Sequence, residues 1–259
     1  MLTHEQLRSM RRDGIVIEGL EPPTDVGRVV AGVDGCRGGW VVAIVDAAGS
    51  DAPPCTPPCV RVVARFADVL ALRPRPVAVA VDMPIGLPGA GPRACDLQAR
   101  ARLGPRRASV FPAPVRAVLA ATTYADALRL ARAADGRGIS RQTYNLLPRI
   151  REVDGTIGPA QQAWVVEAHP ELAFALLAGG PCAASKHTPA GRAERIALLA
   201  TTCPGVAGVV AAPPRGARPD DVLDALALTV TARRVAARTA IVLGDGAVDA
   251  RGLRMAIVT

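Results

Sequence analysis

Three short runs rich in Val and Ala each stop on an aspartate: residues 28–34 (RVVAGVD), 40–46 (WVVAIVD) and 76–82 (PVAVAVD). Runs of this length and composition, bounded by Gly or Pro, read as buried strands. An acid where the chain leaves an α/β sheet stands where such sheets bind ligands. The glycine-rich residues 35–39 join the first two runs as a hairpin, and residues 59–64 supply a third strand, so the spacing predicts an antiparallel meander. A short helix over residues 66–72 leads to the strand 76–82, which ends at a Pro-Ile-Gly-Leu-Pro turn and is expected to run parallel to the first.

From about residue 90 to 155 the pattern becomes helical and polar, with Arg93, Arg100, Arg102, Arg106, Arg107 and Arg116 early and Arg137, Arg141, Arg149 and Arg151 late. This reads as a helical insertion. A strand over 163–167 (AWVVE), a helix over 170–177 closed by Gly179-Gly180 and a helix over 192–200 follow. Residues 220–238 make the clearest helix, with Pro219 just ahead, acids in the first turn and Arg233, Arg234 and Arg238 at the end, which suits the helix dipole. Residues 240–258 read as a terminal hairpin turning at Gly244-Asp245-Gly246. The expected organisation is an extension over residues 1–27 and one α/β domain over 28–259.

Half of the 259 residues are apolar, which excludes a disordered chain, while aromatics at 3% exclude an extended single-strand stacking platform. A net charge of +8 and a pI near 9.9 favour a polyanionic partner. Residues 1–27 contain no long apolar run, so a cytoplasmic protein with no membrane partner is expected. The six cysteines, Cys36, Cys55, Cys59, Cys95, Cys182 and Cys203, are scattered; Cys55 and Cys59 lie in a Pro-rich loop without a second pair at zinc spacing.

The acids form the constellation that carries chemistry. Asp34 and Asp82 end two strands that meet if the strands are neighbours, and Asp221 and Asp224, three apart on a helix, present two carboxylates on one face. Hard oxygen ligands gathered in this way suit Mg2+ or Mn2+. Turn formation accounts for Asp34 and Asp82 taken singly, and helix-start preference for Asp220 and Asp221, but not for Asp224 between Leu223 and Ala225 inside the helix.

The segments GVDGCRGGW (32–40) and VDMPIGLP (81–88) resemble motifs of the domain of unknown function 429 family. Residues 93–96 (RACD) with Ala99-Arg100, Leu103-Gly104, Arg106 and Ser109-Val110-Phe111 resemble its arginine-rich segment. Residues 167–171 (EAHPE) resemble its strand-end motif, and 220–225 (DDVLDA) its last helix. The resemblance runs in order from about residue 30 to 240. It implies a ribonuclease H-like mixed sheet, an α/β fold of a meander plus parallel strands, and a predicted nuclease. Asp34 and Asp82 would then be first- and fourth-strand ligands, Asp221 or Asp224 the helix ligand, and Glu167 a further candidate from the fifth strand. A homodimer is expected only by family analogy.

Such a cluster would hydrolyse phosphodiesters with divalent ions and without a side-chain nucleophile. His169 could orient water or protonate the leaving group. Arg37, Arg93, Arg100, Arg106 and Arg107 could grip the phosphates of nucleic acid or of a phosphorylated small molecule, with Ser109 as a polar contact. Residues 142–151 could close over the site through Gln142, with Tyr144 as a stacking surface. Two other classes share the core. An actin-like or sugar-kinase-like phosphoryl transfer enzyme lacks here a Walker-type loop and a second Asp-x-Gly segment, and a non-catalytic binding protein would keep the fold and leave substrates untouched.

Overall fold

The computed structural model describes residues 28–47 and 57–259; the expected N-terminal extension, His4 and Cys55 lie outside the described residues. Strands β1 (Val29–Cys36), β2 (Gly39–Asp46) and β3 (Cys59–Val63) pair antiparallel, as the glycine-linked runs predict. Strand β4 (Ala78–Val81) runs parallel to β1, and β5 (Val165–Glu167) parallel to β4, giving the order β3-β2-β1-β4-β5. A three-strand meander continued by parallel strands is the ribonuclease H-like arrangement. The ladder continues past both parallel strands, since Val77 N donates to Val29 O and Val79 N to Trp164 O.

Eight helices surround the sheet among the described residues: α1 (Phe66–Leu70), α2 (Ala94–Leu103), α3 (Tyr124–Asp135), α4 (Arg141–Thr156), α5 (Pro170–Ala178), α6 (Pro189–Ala200), α7 (Val206–Ala211) and α8 (Pro219–Ala236). The strands are apolar on both faces because both faces are covered. Val30, Ala78, Ala80 and Val166 point to one side and pack against Val222, Leu226 and Val230 of α8. The alternate residues Ala31, Val33, Val79 and Val165 point to the other and meet Phe66 of α1 and Leu147 and Ile150 of α4. Helix α8 is buried from Val222 to Ala232, as its nearly unbroken apolar sequence requires.

The contact between α8 and β1 is so close that Gly32 has no room for a side chain. A Cβ there would overlap the Ala225 carbonyl oxygen and stand 2.7 Å from Thr229 N and 2.9 Å from Leu228 Cβ.

Two sequence readings need correction. The terminal hairpin exists, as β6 (Val242–Leu243) and β7 (Ile257–Val258), but Gly244-Asp245-Gly246 is not its turn. The chain reverses at Asp249, whose carboxylate accepts from Arg251 N at 2.8 Å and Leu253 N at 3.0 Å, a local bond that outcompetes the glycines. Helix α7 was not expected, because six residues of Val, Ala and Gly carry no helical period.

Gly32→Ala should destabilise the protein by about 3 kcal/mol or more, since backbone of a buried helix must move to admit the methyl group. Urea unfolding measures it, and Gly35→Ala, whose Cβ would meet nothing nearer than 3.9 Å, is the control.

Candidate functional site

Register brings the first two acids together. The last rung between β1 and β4 pairs Val33 with Val81, and Asp82 N donates to Val33 O at 3.0 Å, so Asp34 and Asp82 occupy the next step side by side. Both share the side-chain parity of Ala80 and Val30, the face covered by α8. Asp224 lies on α8 one residue before Ala225, whose carbonyl abuts Gly32, and is only 4% exposed. The three carboxylates therefore converge at the sheet edge, where Asp34 and Asp82 face a cavity of about 770 Å3 that Glu167, His169, Lys186 and Arg149 also line.

The cluster is short of positive charge. Burial, and then the charges of Asp82 and Asp224, hold the Asp34 carboxyl well above the ordinary carboxylate range. Burial also raises Asp82, with Lys186 pulling the other way. Asp224 is pushed up to about 6 by burial, against the opposing effect of Lys186, whose ammonium donates to Asp224 Oδ2 at 2.6 Å. Burial opposes the charged form of Lys186, but the attraction of Asp224 outweighs it and raises the ammonium pKa. Asp224 Oδ1 is buried without a hydrogen-bond partner, and the nearest donor to Asp34 Oδ1 is its own neighbour Gly35 N, at 2.7 Å.

These residues suit a hard divalent cation: three carboxylates, one with an orphaned buried oxygen, and a single ammonium between them. Among the described residues no group of three or more His, Cys, Asp or Glu side chains is arranged to hold a metal ion. Lys186 supplies the counter-charge instead.

Several expected site residues have other work. Asp221 accepts from Arg218 N at 2.8 Å and so caps α8, the structural role its position allowed; only its charge reaches Asp34. Glu167 pairs in register with Val81, not with Asp82, so it points to the opposite face of the sheet. There Arg93, 2% exposed, donates to Glu167 at 2.7 and 2.6 Å, to Asp96 at 3.2 and 2.5 Å and to the carbonyls of Ile85 and Gly86, leaving no N–H for a phosphate. Burial, opposed by Arg93, leaves the Glu167 carboxyl at about 7.

His169 Nδ1 accepts from Glu171 N at 3.1 Å as the N-cap of α5, and the tautomer this implies lets Nε2 donate to Ser109 O at 3.1 Å. Both nitrogens are engaged in these bonds, and His169 lines the cavity. Ser109 Oγ donates to Arg106 O at 2.8 Å. Arg100 donates to Val110 O, and Arg106 to the carbonyls of Cys182 and Ala183, so the arginine-rich segment is largely internal scaffold. Arg37 and Arg107 are exposed. Tyr144 is half-buried, its ring packs edge-on against Tyr124 and its hydroxyl donates to Thr122 O. Gln142 is exposed and points away from the cavity lining, to which α4 contributes Asn145 and Arg149 instead.

Sequence reasoning missed Lys186 and the place of Arg149. Arg149 donates to Cys36 O at 2.7 Å and stacks over Trp40, fastening α4 to the β1–β2 turn. Lys186 carried a signal that composition hid: it is the only lysine among the 31 Lys and Arg residues.

The mixed sheet with aspartates converging at its edge defines a ribonuclease H-like α/β protein. The chain belongs to the family described as Protein of unknown function (DUF429), which matches residues 32–247. Among solved structures the Thermus thermophilus RuvC structure matches at 17% identity and a TM-score of 0.34, covering 82% of this chain and 97% of that one. No curated protein matches significantly. No helix among the described residues is long and apolar enough to cross a membrane.

Folding raises the carboxyl pKa values of Asp34, Asp82, Asp224 and Glu167, so the native state binds more protons than the unfolded chain above about pH 4 and up to about 7. Stability of the metal-free protein should therefore fall as pH rises through that window. Urea unfolding should give a larger stability near pH 5 than near pH 7, by roughly 1 kcal/mol, and Asp34→Asn should flatten the difference. Arg93→Ala should cost about 3–5 kcal/mol by stranding two buried carboxylates, in the same assay.

Proposed function

We propose that this chain is a divalent-metal-dependent phosphodiester hydrolase, a nuclease of the cytoplasm that works with Mg2+ or Mn2+. The observation that carries the reading is the convergence of Asp34, Asp82 and Asp224 at one sheet edge with a single ammonium among them and a buried carboxylate oxygen left without a partner. Asp34, Asp82 and Asp224 Oδ1 would hold the cation. Bound there, it supplies the Lewis acidity and charge neutralisation that phosphodiester hydrolysis needs.

The chain's own residues support a reaction in which water is the nucleophile. His169 has both ring nitrogens in hydrogen bonds, and Glu167 is locked by Arg93, so neither is free to act as a base. The aspartates serve as ligands. Arg149, which lines the cavity, and the exposed Arg37 and Arg107 supply positive charge for a phosphate, while Lys186 is held by Asp224. The cavity, at about 770 Å3, is within the ordinary range of ligand sites, roughly 300–1,000 Å3, and has room for one nucleotide unit. That supports nucleic acid, or a smaller phosphate ester, as the partner.

The test is Mn2+-dependent cleavage of labelled single-stranded, duplex, hybrid and branched nucleic acids, run beside hydrolysis of a small phosphodiester. Asp34→Asn and Asp82→Asn should each lower the rate at least about a hundredfold, since even residues that merely orient metal ligands contribute 10–100-fold. No cleavage of any substrate by the wild type would sink the reading. His169→Asn should keep most of the activity, because Asn caps a helix as well as the imidazole does here. Loss of cleavage in that variant, with stability unchanged, would restore histidine to the chemistry.

A further inference from the structure

Lys186 stands in a loop built to hold it. Between α5 and α6, Arg106 donates to the carbonyls of Cys182 and Ala183, Glu194 accepts from Ala183 N and Ala184 N at 3.0 and 3.1 Å, and Arg195 donates to Ala184 O at 3.1 Å. Two residues past Lys186, Thr188 caps α6. The loop is thus anchored on its N-terminal side by two helices and on its C-terminal side by a third contact. From it the ammonium reaches Asp224 Oδ2 at 2.6 Å and feels the charges of Asp82 and Asp34 as well.

The residue type matters as much as the position. Every other basic residue among the 31 is arginine, so a lysine here is the departure from the composition of the chain. An ammonium is a compact point charge with three donors, and it can sit among carboxylate oxygens as a small cation does; a planar guanidinium is larger and binds edge-on. The charge balance gives the consequence. Three carboxylates and one ammonium leave two negative charges, which one divalent ion neutralises and two would overshoot. Of the other acids nearby, Glu171 is paired with Arg195, and Arg93 spans Glu167 and Asp96.

We propose that Lys186 is a tethered cation, a positioning residue that occupies a cation place beside Asp224 Oδ2 at this edge, so that the site holds a single divalent ion per chain. The proposal rests on the metal-site reading and adds the ion count and the role of the lysine. Asp224 is then shared, its Oδ2 held by Lys186 and its Oδ1 left for the ion.

The experiment is a Mn2+ titration of the full chain, followed by calorimetry and by the electron paramagnetic resonance signal of free Mn2+, on the wild type, Lys186→Gln and Lys186→Arg. The wild type and Lys186→Arg should bind one ion. Lys186→Gln should bind the first ion at least about tenfold more tightly, since a competing positive charge at close range is gone, and should admit a second. Two ions of similar affinity in the wild type, or a Lys186→Gln protein that binds with unchanged count and affinity, would overturn the lysine's role and leave the metal site standing. A wild type that binds no Mn2+ would overturn both. The wild-type count decides the matter even if the glutamine variant does not fold.

Discussion

Helix α8 lies against strand β1 with no side chain between them at Gly32, and the acidic edge depends on that approach. The Ala225 carbonyl abuts Gly32, so Asp224, one residue earlier on the helix, is carried down to the level of Asp34, two residues later on the strand and on the same face. A larger residue at position 32 would lift the helix and separate the acids. Close packing of this kind transmits displacement because the interior has no slack to absorb it. The apolar burial of α8, from Val222 through Ala232, offsets what three crowded carboxylates cost.

The protein buries charge in two different ways. On the α4 side of the sheet, Arg93 spans Glu167 and Asp96 with all its donors engaged, and near α6 Arg195 clasps both oxygens of Glu171 at 2.7 and 2.8 Å. In those assemblies each carboxylate is held by a buried guanidinium, and breaking one would strand a buried charge. At the sheet edge the acids exceed the bases, an oxygen goes unpartnered and the carboxyl pKa values rise. Excess charge of one sign beside a cavity is the arrangement that awaits a ligand, whereas matched charge in the core fixes geometry.

Much of this was legible in the sequence, for identifiable reasons. The Val and Ala runs gave the strands, glycine placed the hairpin, and the acids and arginines at its two ends bounded α8. Asp34, Asp82 and Asp224 followed from strand ends and from an acid inside an apolar helix. Glu167 could have been set apart by parity alone, because it follows Val165 on one face whereas Asp82 follows Ala80 on the other. The arginine-rich segment misled, since a guanidinium that bonds carbonyls inside a fold looks in sequence like one that waits for phosphate. Tyr144 misled likewise, its partner Tyr124 being on a helix whose packing no local pattern specifies. Lys186 was invisible to motif reading because a loop brings it to the acids from 38 residues away along the chain.

The most direct test of the metal site is a crystal structure grown with Mn2+, with an anomalous difference map calculated from data near the manganese absorption edge. The account predicts a strong peak within coordinating distance of Asp34, Asp82 and Asp224 Oδ1, about 2.1–2.6 Å for hard cations on oxygen. A map with no peak at this edge at saturating Mn2+, or with its peak elsewhere on the chain, would contradict it.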